Sequence, residues 1–208
     1  MNLPDTINAW LTANPAIAEY FNQLNNKNIR WAIFAGAAVS LLTGNRQPTD
    51  IDIIVHDDDF TTAAQLTPHA QRKLPLECEL PTGDNKMLHY KGSELWFSLD
   101  GKEIEIMSHA QKSIEGHGYN ISFTDLAVKN RMTIRTDGPT VYLANPFDTM
   151  AIKAIMQRGP KQHKFDFEDT KALAKQCTFS AEYITKRSAQ IHLGAREFTF
   201  LQKAGLHL

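Results

Sequence analysis

Two aspartates, Asp50 and Asp52, alternate with isoleucines in the segment Thr49-Asp-Ile-Asp-Ile-Ile54. Successive side chains of a strand face opposite ways, so both carboxylates share one face, about 7 Å apart at their Cα atoms. Paired acids repel each other and are depleted from strands. An isolated Asp-x-Asp usually belongs to a solvated strand edge. A divalent cation would remove the penalty, and the residues that flank these acids favour a metal site on this strand.

The segment that precedes these acids has the layout of a phosphate site. Trp31 to Phe34 is an apolar run that predicts a short buried strand, and Ala37 to Leu42 predicts a helix that Thr43-Gly44-Asn45 ends. Gly36, between them, has no Cβ, and a helix N-terminus offers unpaired N–H groups and a positive dipole. An ordinary strand-to-helix turn explains Gly36 equally well when the acids are ignored.

The remaining pattern predicts an α+β fold with an α/β core. The predicted elements are helices at 5–13, 16–26, 57–66, 147–158, 166–176, 180–190 and 195–203, and strands within 76–107 and 121–144. Asp100-Gly101 is the clearest hairpin turn. A soft boundary near Asn145-Pro146 divides a core of residues 1–145, which begins with a helical hairpin, from a C-terminal helical region of residues 146–208.

Composition points to a water-soluble globular chain. The 208 residues are 42% hydrophobic and 22% charged, with no apolar run of the roughly 20 residues that a membrane span needs. The N-terminus lacks the features of a signal peptide, which predicts a cytoplasmic protein without membrane contact. Cys78 and Cys177 fit free thiols better than zinc ligands or a disulfide. The eight histidines show no metal-binding cluster, and His56, His89, His109 and His163 are predicted to be ordinary surface or loop residues.

The net charge of −1 hides an asymmetry between the halves. Residues 1–110 carry 14 Asp+Glu and 8 Lys+Arg, whereas residues 111–208 carry 9 and 14. The halves therefore have net charges of −6 and +5, which is compatible with an acidic metal-binding part and a basic phosphate-binding part. Two solvated surfaces explain this distribution about as well.

The stretch from Phe34 to Val55 resembles the signature of the DNA polymerase β-like nucleotidyltransferase superfamily. That pattern is a hydrophobic residue, Gly, then Gly or Ser, a spacer, and acid-hydrophobic-acid, followed on a later strand by a third acid, which Glu105 between Ile104 and Ile106 matches. The neighbouring Glu103 fits less well. A second block, from Asn145 through Lys153 and Arg158 to Lys164-Phe-Asp166-Phe-Glu-Asp169, is similar to small bacterial members: antibiotic nucleotidyltransferases and transferases of abortive-infection and type IV toxin systems.

The resemblance implies a nucleotidyltransferase-like mixed sheet and a magnesium-dependent transfer of NMP from an NTP, such as ATP, to a hydroxyl. Two Mg²⁺ ions would be held by Asp50, Asp52 and Glu105, which would also be the catalytic residues. Gly36, Ala37, Arg46 and Lys153 would bind the nucleotide. The acceptor would be tRNA, a protein or a small molecule, and a toxin-type enzyme would have a cognate antitoxin as partner.

Two departures from the family pattern keep a second function open. Ala37 stands where the family has Gly or Ser, and Glu105 stands where the family often has Asp. An inactive nucleotidyltransferase fold, serving as a partner module in a toxin-antitoxin or oligomeric system, is the alternative. Simpler roles also remain: Lys153 as a surface lysine, Asp166 and Asp169 as helix-capping acids, and Glu105 as part of a solvent-facing strand edge.

Overall fold

The computed structural model describes residues 2–67, 69–114, 117–118 and 122–207, which form an α+β fold built on one mixed sheet. This part of the chain contains helices α1 (Leu3–Thr12), α2 (Pro15–Asn26), α3 (Ala35–Thr43), α4 (Phe60–Gln65), α5 (Phe123–Lys129), α6 (Pro146–Met156), α7 (Asp166–Gln176), α8 (Ala181–Gln190) and α9 (Ala195–Lys203). Its strands are β1 (Trp31–Phe34), β2 (Asp50–Val55), β3 (Gln71–Pro81), β4 (Met87–Leu99), β5 (Lys102–Ile114), β6 (His117–Gly118), β7 (Met132–Ile134) and β8 (Val141–Leu143). The predicted fold class is confirmed.

The strands follow the order β3-β4-β5-β2-β1-β8-β7, and β6 pairs with β5. β2 lies at the centre, antiparallel to β1 and parallel to β5. The predicted hairpin is confirmed, because β4 and β5 run antiparallel through a turn in which Asp100 and Gly101 have φ values of 50° and 71°. Positive φ at both central residues is what a two-residue hairpin with the right-handed strand twist requires.

Two apolar cores cover the two faces of this sheet. One face packs against α1, α2 and α4 around Trp31, Ile51 and Ile104, all fully buried. The other face packs against α5 and α6 around Phe34 and Ile155. Alternation along β2 sends its isoleucines at 51 and 53 into the first core, so the aspartates at 50 and 52 face the second side.

A third core joins the C-terminal helices to the rest of the chain. Val39 of α3 packs with Phe147, Met150 and Ala154 of α6 and with residues of α7 to α9. From Pro146 to Lys203 the described elements are all helical, as predicted. The division into two domains at residue 145 stays a prediction. None of the helices in the described ranges is long and apolar enough to cross a bilayer.

The prediction for residues 121–144 is partly wrong. Residues 121–144 were expected to be strand-like, but 123–129 form helix α5, and only β7 and β8 are extended; residue 121 lies outside the described part. Ser122 explains the difference, because its hydroxyl accepts a hydrogen bond from the Asp125 N–H and so caps a helix start. The apolar residues Phe123, Ala127 and Val128 then face the second core at helical spacing.

Candidate functional site

The four acids of β2 and β5 lie on one face of the sheet. In the parallel pairing, Asp50 is opposite Glu103 and Asp52 is opposite Glu105. Directly paired residues of neighbouring strands point to the same side. Asp52 and Glu105 are both partly buried, and within the described residues neither carboxylate has a hydrogen bond or ion pair. The fold therefore brings together residues that are more than fifty positions apart in the sequence.

Burial and mutual repulsion raise the pKa of two of these acids. The pKa of Asp52 is raised to about 6 by burial and then by the charge of Asp50, against an opposing effect of Lys164. The pKa of Glu105 is raised to about 8 by burial and by the charge of Asp52. Beside them, burial lowers the pKa of Lys112 to about 8. The ionised forms of Asp52 and Glu105 are therefore unfavourable in the metal-free site, and a bound cation would stabilise them.

The turn from β1 into α3 lies beside the acids, because Phe34 is paired with Asp52. Ala35 has φ 48°, in the left-handed region, which costs a residue with a Cβ about 1 kcal/mol. A Cβ added to Gly36 would lie 3.5 Å from the Arg46 guanidinium. The bare backbone at Gly36 therefore leaves open space on the side where Arg46 stands.

A cavity of about 250 Å³ opens between this turn, β2 and α7. Its lining includes Gly36 and eight charged side chains, which are Asp50, Asp52, Asp166, Asp169, Arg46, Lys153, Arg158 and Lys164. His163, predicted to be an ordinary loop residue, also lines it. His56, predicted to be an ordinary surface or loop residue, lies in the loop after β2, and its side chain is buried. Ala37 and Glu105 are not among the lining residues, and the Ala37 side chain is buried in the first core.

Lys153 is buried and ion-paired. Its Nζ lies 2.8 Å from Asp169 Oδ2 and 3.3 Å from Asp166 Oδ1, and both aspartates are buried. The simpler alternative of a surface lysine is therefore wrong. Both aspartates lie in the first turn of α7, where negative charge complements the helix dipole, but their buried carboxylates also pair with cations. These residues form a charged cluster between α6 and α7 that carries further cations on its outer side.

The two outer cations of this cluster are arginines. The Arg46 Nη2 donates to Asp169 Oδ2 at 2.9 Å, and the backbone N–H and Nε of Arg158 donate to Asp166 Oδ2 at 2.8 and 3.1 Å. Asp166 and Asp169 thus form ion pairs with three cations, which are Lys153, Arg46 and Arg158. The cluster keeps one positive charge that its own acids do not neutralise.

Lys164 adds a cation with no acid of its own. Its side chain is exposed and lines the cavity, and within the described residues it has no ion pair or hydrogen bond. The charge of Lys164 nevertheless acts on Asp52, whose pKa it lowers. Over the described ranges, the cavity thus has two carboxylates without an ion pair, Asp50 and Asp52, and a basic wall with excess positive charge. Asp50 accepts a hydrogen bond from its neighbour Thr49, at 3.2 Å.

The loop that carries Arg158 is held by the β3–β4 turn. The Gly83 N–H donates to the Met156 carbonyl at 2.9 Å, and a Cβ on Gly83 would lie 1.5 Å from the Gln157 carbonyl oxygen. Only glycine permits this approach. The long hairpin and the end of α6 are therefore fixed to each other next to the cavity.

The donor set fits a hard divalent cation, because carboxylate oxygens are the ligands that Mg²⁺ prefers. Asp50 and Asp52 would hold such an ion on the open side of β2. Within the described part of the chain, however, no group of three or more His, Cys, Asp or Glu side chains is placed to hold a metal ion. Glu105 as a third ligand stays a prediction that rests on its strand position opposite Asp52.

Neither a protein-family model nor a curated protein sequence matches the chain. Among solved structures, the chain is similar to a candidate nucleotidyltransferase from Thermotoga maritima, at 18% identity and a TM-score of 0.49, over 70% of this chain and 85% of that one. It is also similar to an antigenic nucleotidyltransferase-like protein from Paracoccidioides brasiliensis, at 16% identity and a TM-score of 0.48, over 94% of both chains. These values are low, so the function proposed below rests on the residues of the site.

Of the seven residues to which the sequence analysis gave a catalytic, metal-binding or nucleotide-binding role, five line the cavity: Gly36, Arg46, Asp50, Asp52 and Lys153. Sequence analysis did not assign Lys164 or Arg158 to the nucleotide. Their signal was present in the second block, where basic residues follow Lys153, but more than a hundred positions separate them from Asp50 and Asp52 in the sequence. Only the packing of α6 and α7 against α3 places them at the same cavity.

Proposed function

We propose that the protein is a magnesium-dependent nucleotidyltransferase that moves an NMP from an NTP to a hydroxyl acceptor. The supporting observation is the division of charge within one cavity. Among the residues that the structure describes, Asp50 and Asp52 of the β2 wall form no ion pair, and neither does Lys164, which lines the same cavity beside two arginines. A triphosphate with a bound metal ion is complementary to this arrangement. The metal ion would lie against the two aspartates, and the phosphate oxygens would face the lysine and the arginines.

Each residue then has a role that follows from its position. Asp50 and Asp52 would hold the metal, which when bound would neutralise phosphate charge and activate the acceptor oxygen. Lys164 and Arg158 bind the phosphate chain, and the bare Gly36 backbone gives it room. Glu105, opposite Asp52 on β5, is the proposed base that takes the proton of the acceptor hydroxyl. Lys153 acts indirectly, because its ion pairs hold α7 and therefore Lys164 in place.

The acceptor belongs to one of three classes: tRNA, a protein hydroxyl or a small molecule. The basic second half of the chain favours RNA, and the toxin-like second block favours a toxin-type enzyme with a cognate antitoxin. An electrostatic RNA contact weakens steeply as salt rises. Binding of tRNA that stays constant with salt would contradict that choice of acceptor while leaving the transfer chemistry unaffected.

The test of the enzyme is transfer of label from α-³²P NTP to tRNA, protein and small hydroxyl compounds in the presence of Mg²⁺. Asp50→Ala and Asp52→Ala are expected to lose activity by a factor of about 100 or more, since each removes a metal ligand. Glu79→Ala, on the exposed edge strand β3, is the matched carboxylate control and should keep full activity. Equal activity in all three variants would refute the proposal.

A second candidate is an inactive binding module with the same fold. It is favoured by the absence, within the described ranges, of a three-carboxylate metal group, and by the burial of Ala37 away from the cavity. Calorimetry separates the two functions, because an inactive site should show no magnesium-dependent binding of NTP. An enzyme should bind NTP with magnesium and lose this binding in the Asp52→Ala variant.

A further inference from the structure

An exposed aromatic ring stands at the rim of the charged cavity. Phe165 is 45% exposed, lines the cavity, and immediately follows the unpaired Lys164. The Arg46 guanidinium lies 5.6 Å from the centre of its ring. The guanidinium covers part of the ring, and the remainder stays open to solvent. Single exposed apolar side chains are common at protein surfaces, and what distinguishes Phe165 is its position at the cavity rim beside the Arg46 guanidinium.

The position of this ring is fixed by the residue that follows it. Asp166 is fully buried and accepts hydrogen bonds from the Arg158 backbone and side chain and from Lys153. The Asp169 N–H donates to the Phe165 carbonyl at 2.9 Å, which begins α7. Phe165 is therefore held between an anchored aspartate and Lys164, and is not part of a freely moving loop.

The size of the cavity leaves part of a nucleotide outside it. Its volume of about 250 Å³ is below the roughly 300–1,000 Å³ of pockets that enclose a drug-sized ligand. Because the proposed metal ligands and the cations line this cavity, the phosphate chain of a bound NTP would occupy it. The nucleoside of a bound NTP must then extend to the rim, where Phe165 and Arg46 present a flat, partly open surface.

We infer that Phe165, supported by Arg46, is the stacking platform for the nucleobase of the NTP. This inference rests on the proposed function and adds the residue that recognises the nucleoside. A nucleobase that stacks on a phenyl ring gains binding energy without specific hydrogen bonds, and Arg contributes a cation–π contact of the same kind. The platform therefore distinguishes a nucleoside triphosphate from inorganic tripolyphosphate, while Lys164 and Arg158 bind both.

Calorimetric titration tests the platform with two probes in the presence of Mg²⁺, α,β-methylene-ATP and tripolyphosphate. Phe165→Ala should weaken binding of the nucleotide analogue by about 5- to 100-fold, the range of base stacking on an aromatic residue, and leave tripolyphosphate binding unchanged. Phe165→Trp should retain or strengthen binding of the analogue. Phe167→Ala is the matched control, because Phe167 is 37% exposed but packs on Phe200 and does not line the cavity.

The possible failures are distinguishable. If the wild-type protein binds both probes and Phe165→Ala binds the analogue as tightly, the platform is refuted and the proposed function stands. An equal loss for both probes would also refute it, because Phe165 would then act on the phosphate chain. If the wild-type protein binds neither probe, the proposed function fails together with the platform. A thermal melt of each variant shows whether a loss of binding is a loss of folding.

Discussion

The pKa of Asp52 is higher in the folded protein than in the unfolded chain, so this residue makes the free energy of unfolding depend on pH. Burial and Asp50 raise the pKa of its carboxyl from 3.8 to about 6. A carboxyl group with a raised pKa does not lower the free energy of unfolding while it is protonated. Its ionisation lowers the free energy of unfolding as pH rises from about 4 through 6. Above that range the cost is complete, at about 2 kcal/mol once partial exposure is allowed for.

Asp52→Asn should therefore stabilise the metal-free protein at pH 8. We expect the Tm in EDTA to rise by about 4–8 °C relative to wild type, with the difference shrinking towards pH 4. Mg²⁺ should stabilise the wild type and not the variant, because the variant has lost a ligand. Glu79→Gln, an exposed strand acid, is the control. A variant that melts at or below the wild-type temperature at pH 8 would contradict the proposed electrostatic conflict.

At the scale of elements, α6 and α7 are joined by buried charge as well as by apolar contacts. Lys153 of α6 pairs with Asp166 and Asp169 of α7, and all three side chains are buried. Removing one member of a buried ion cluster leaves its partners desolvated and incompletely compensated, which commonly costs about 3–5 kcal/mol. Lys164 lies two residues before Asp166 on the loop that connects α6 and α7, is exposed, and is not a member of this buried ion cluster.

The two lysines should consequently separate stability from binding. Lys153→Met is expected to lower the Tm by about 6–12 °C, whereas Lys164→Met should leave the Tm within about 1 °C and weaken binding of magnesium and NTP about tenfold. Thermal melts and calorimetric titration of both variants make the comparison. A stable Lys153→Met protein with weakened nucleotide binding would instead assign Lys153 to the phosphate chain.

At the scale of the whole molecule, the helical region beyond residue 145 is joined to the sheet by shared cores. Ile152 and Ile155 of α6 belong to the core beneath the sheet, and Phe147 packs with Val39 of α3. Arg187 of α8 and Asp148 of α6 also form a fully buried ion pair. Large apolar contacts of this kind make neighbouring parts unfold together.

We expect the chain to unfold in one cooperative transition. Trp10, Trp31 and Trp96 all precede residue 145, so Trp fluorescence reports on the first part of the chain. Far-UV circular dichroism also reports on helices α6 to α9, which follow residue 145. If the two parts unfold together, the denaturation curves from the two measurements should coincide. A fragment of residues 1–145 should be unfolded or aggregated, since it exposes the surface that α6 covers. Two separated transitions would show that residues 146–208 form an independent domain.

The sequence alone determined features whose cause is local. Alternation in β2 placed Asp50 and Asp52 on one face, and Asp100-Gly101 set the hairpin. The helices predicted to start at residues 16 and 147 begin one residue earlier, each with a proline at its first position. These follow from strand period, turn geometry and the fixed φ of proline, which act within a few residues. Helix α5 was missed because its cap at Ser122 competes with a β-like composition.

Tertiary structure alone decided which charges face the aspartates. The sequence could not distinguish a surface lysine at 153 from a phosphate ligand, because the distinction depends on where α7 packs. It likewise gave no sign that Lys164 is unpaired, or that Phe165 stands exposed beside Arg46. Charge pairing and burial are set by distances between elements far apart in the chain, and those distances exist only once the shared cores have formed.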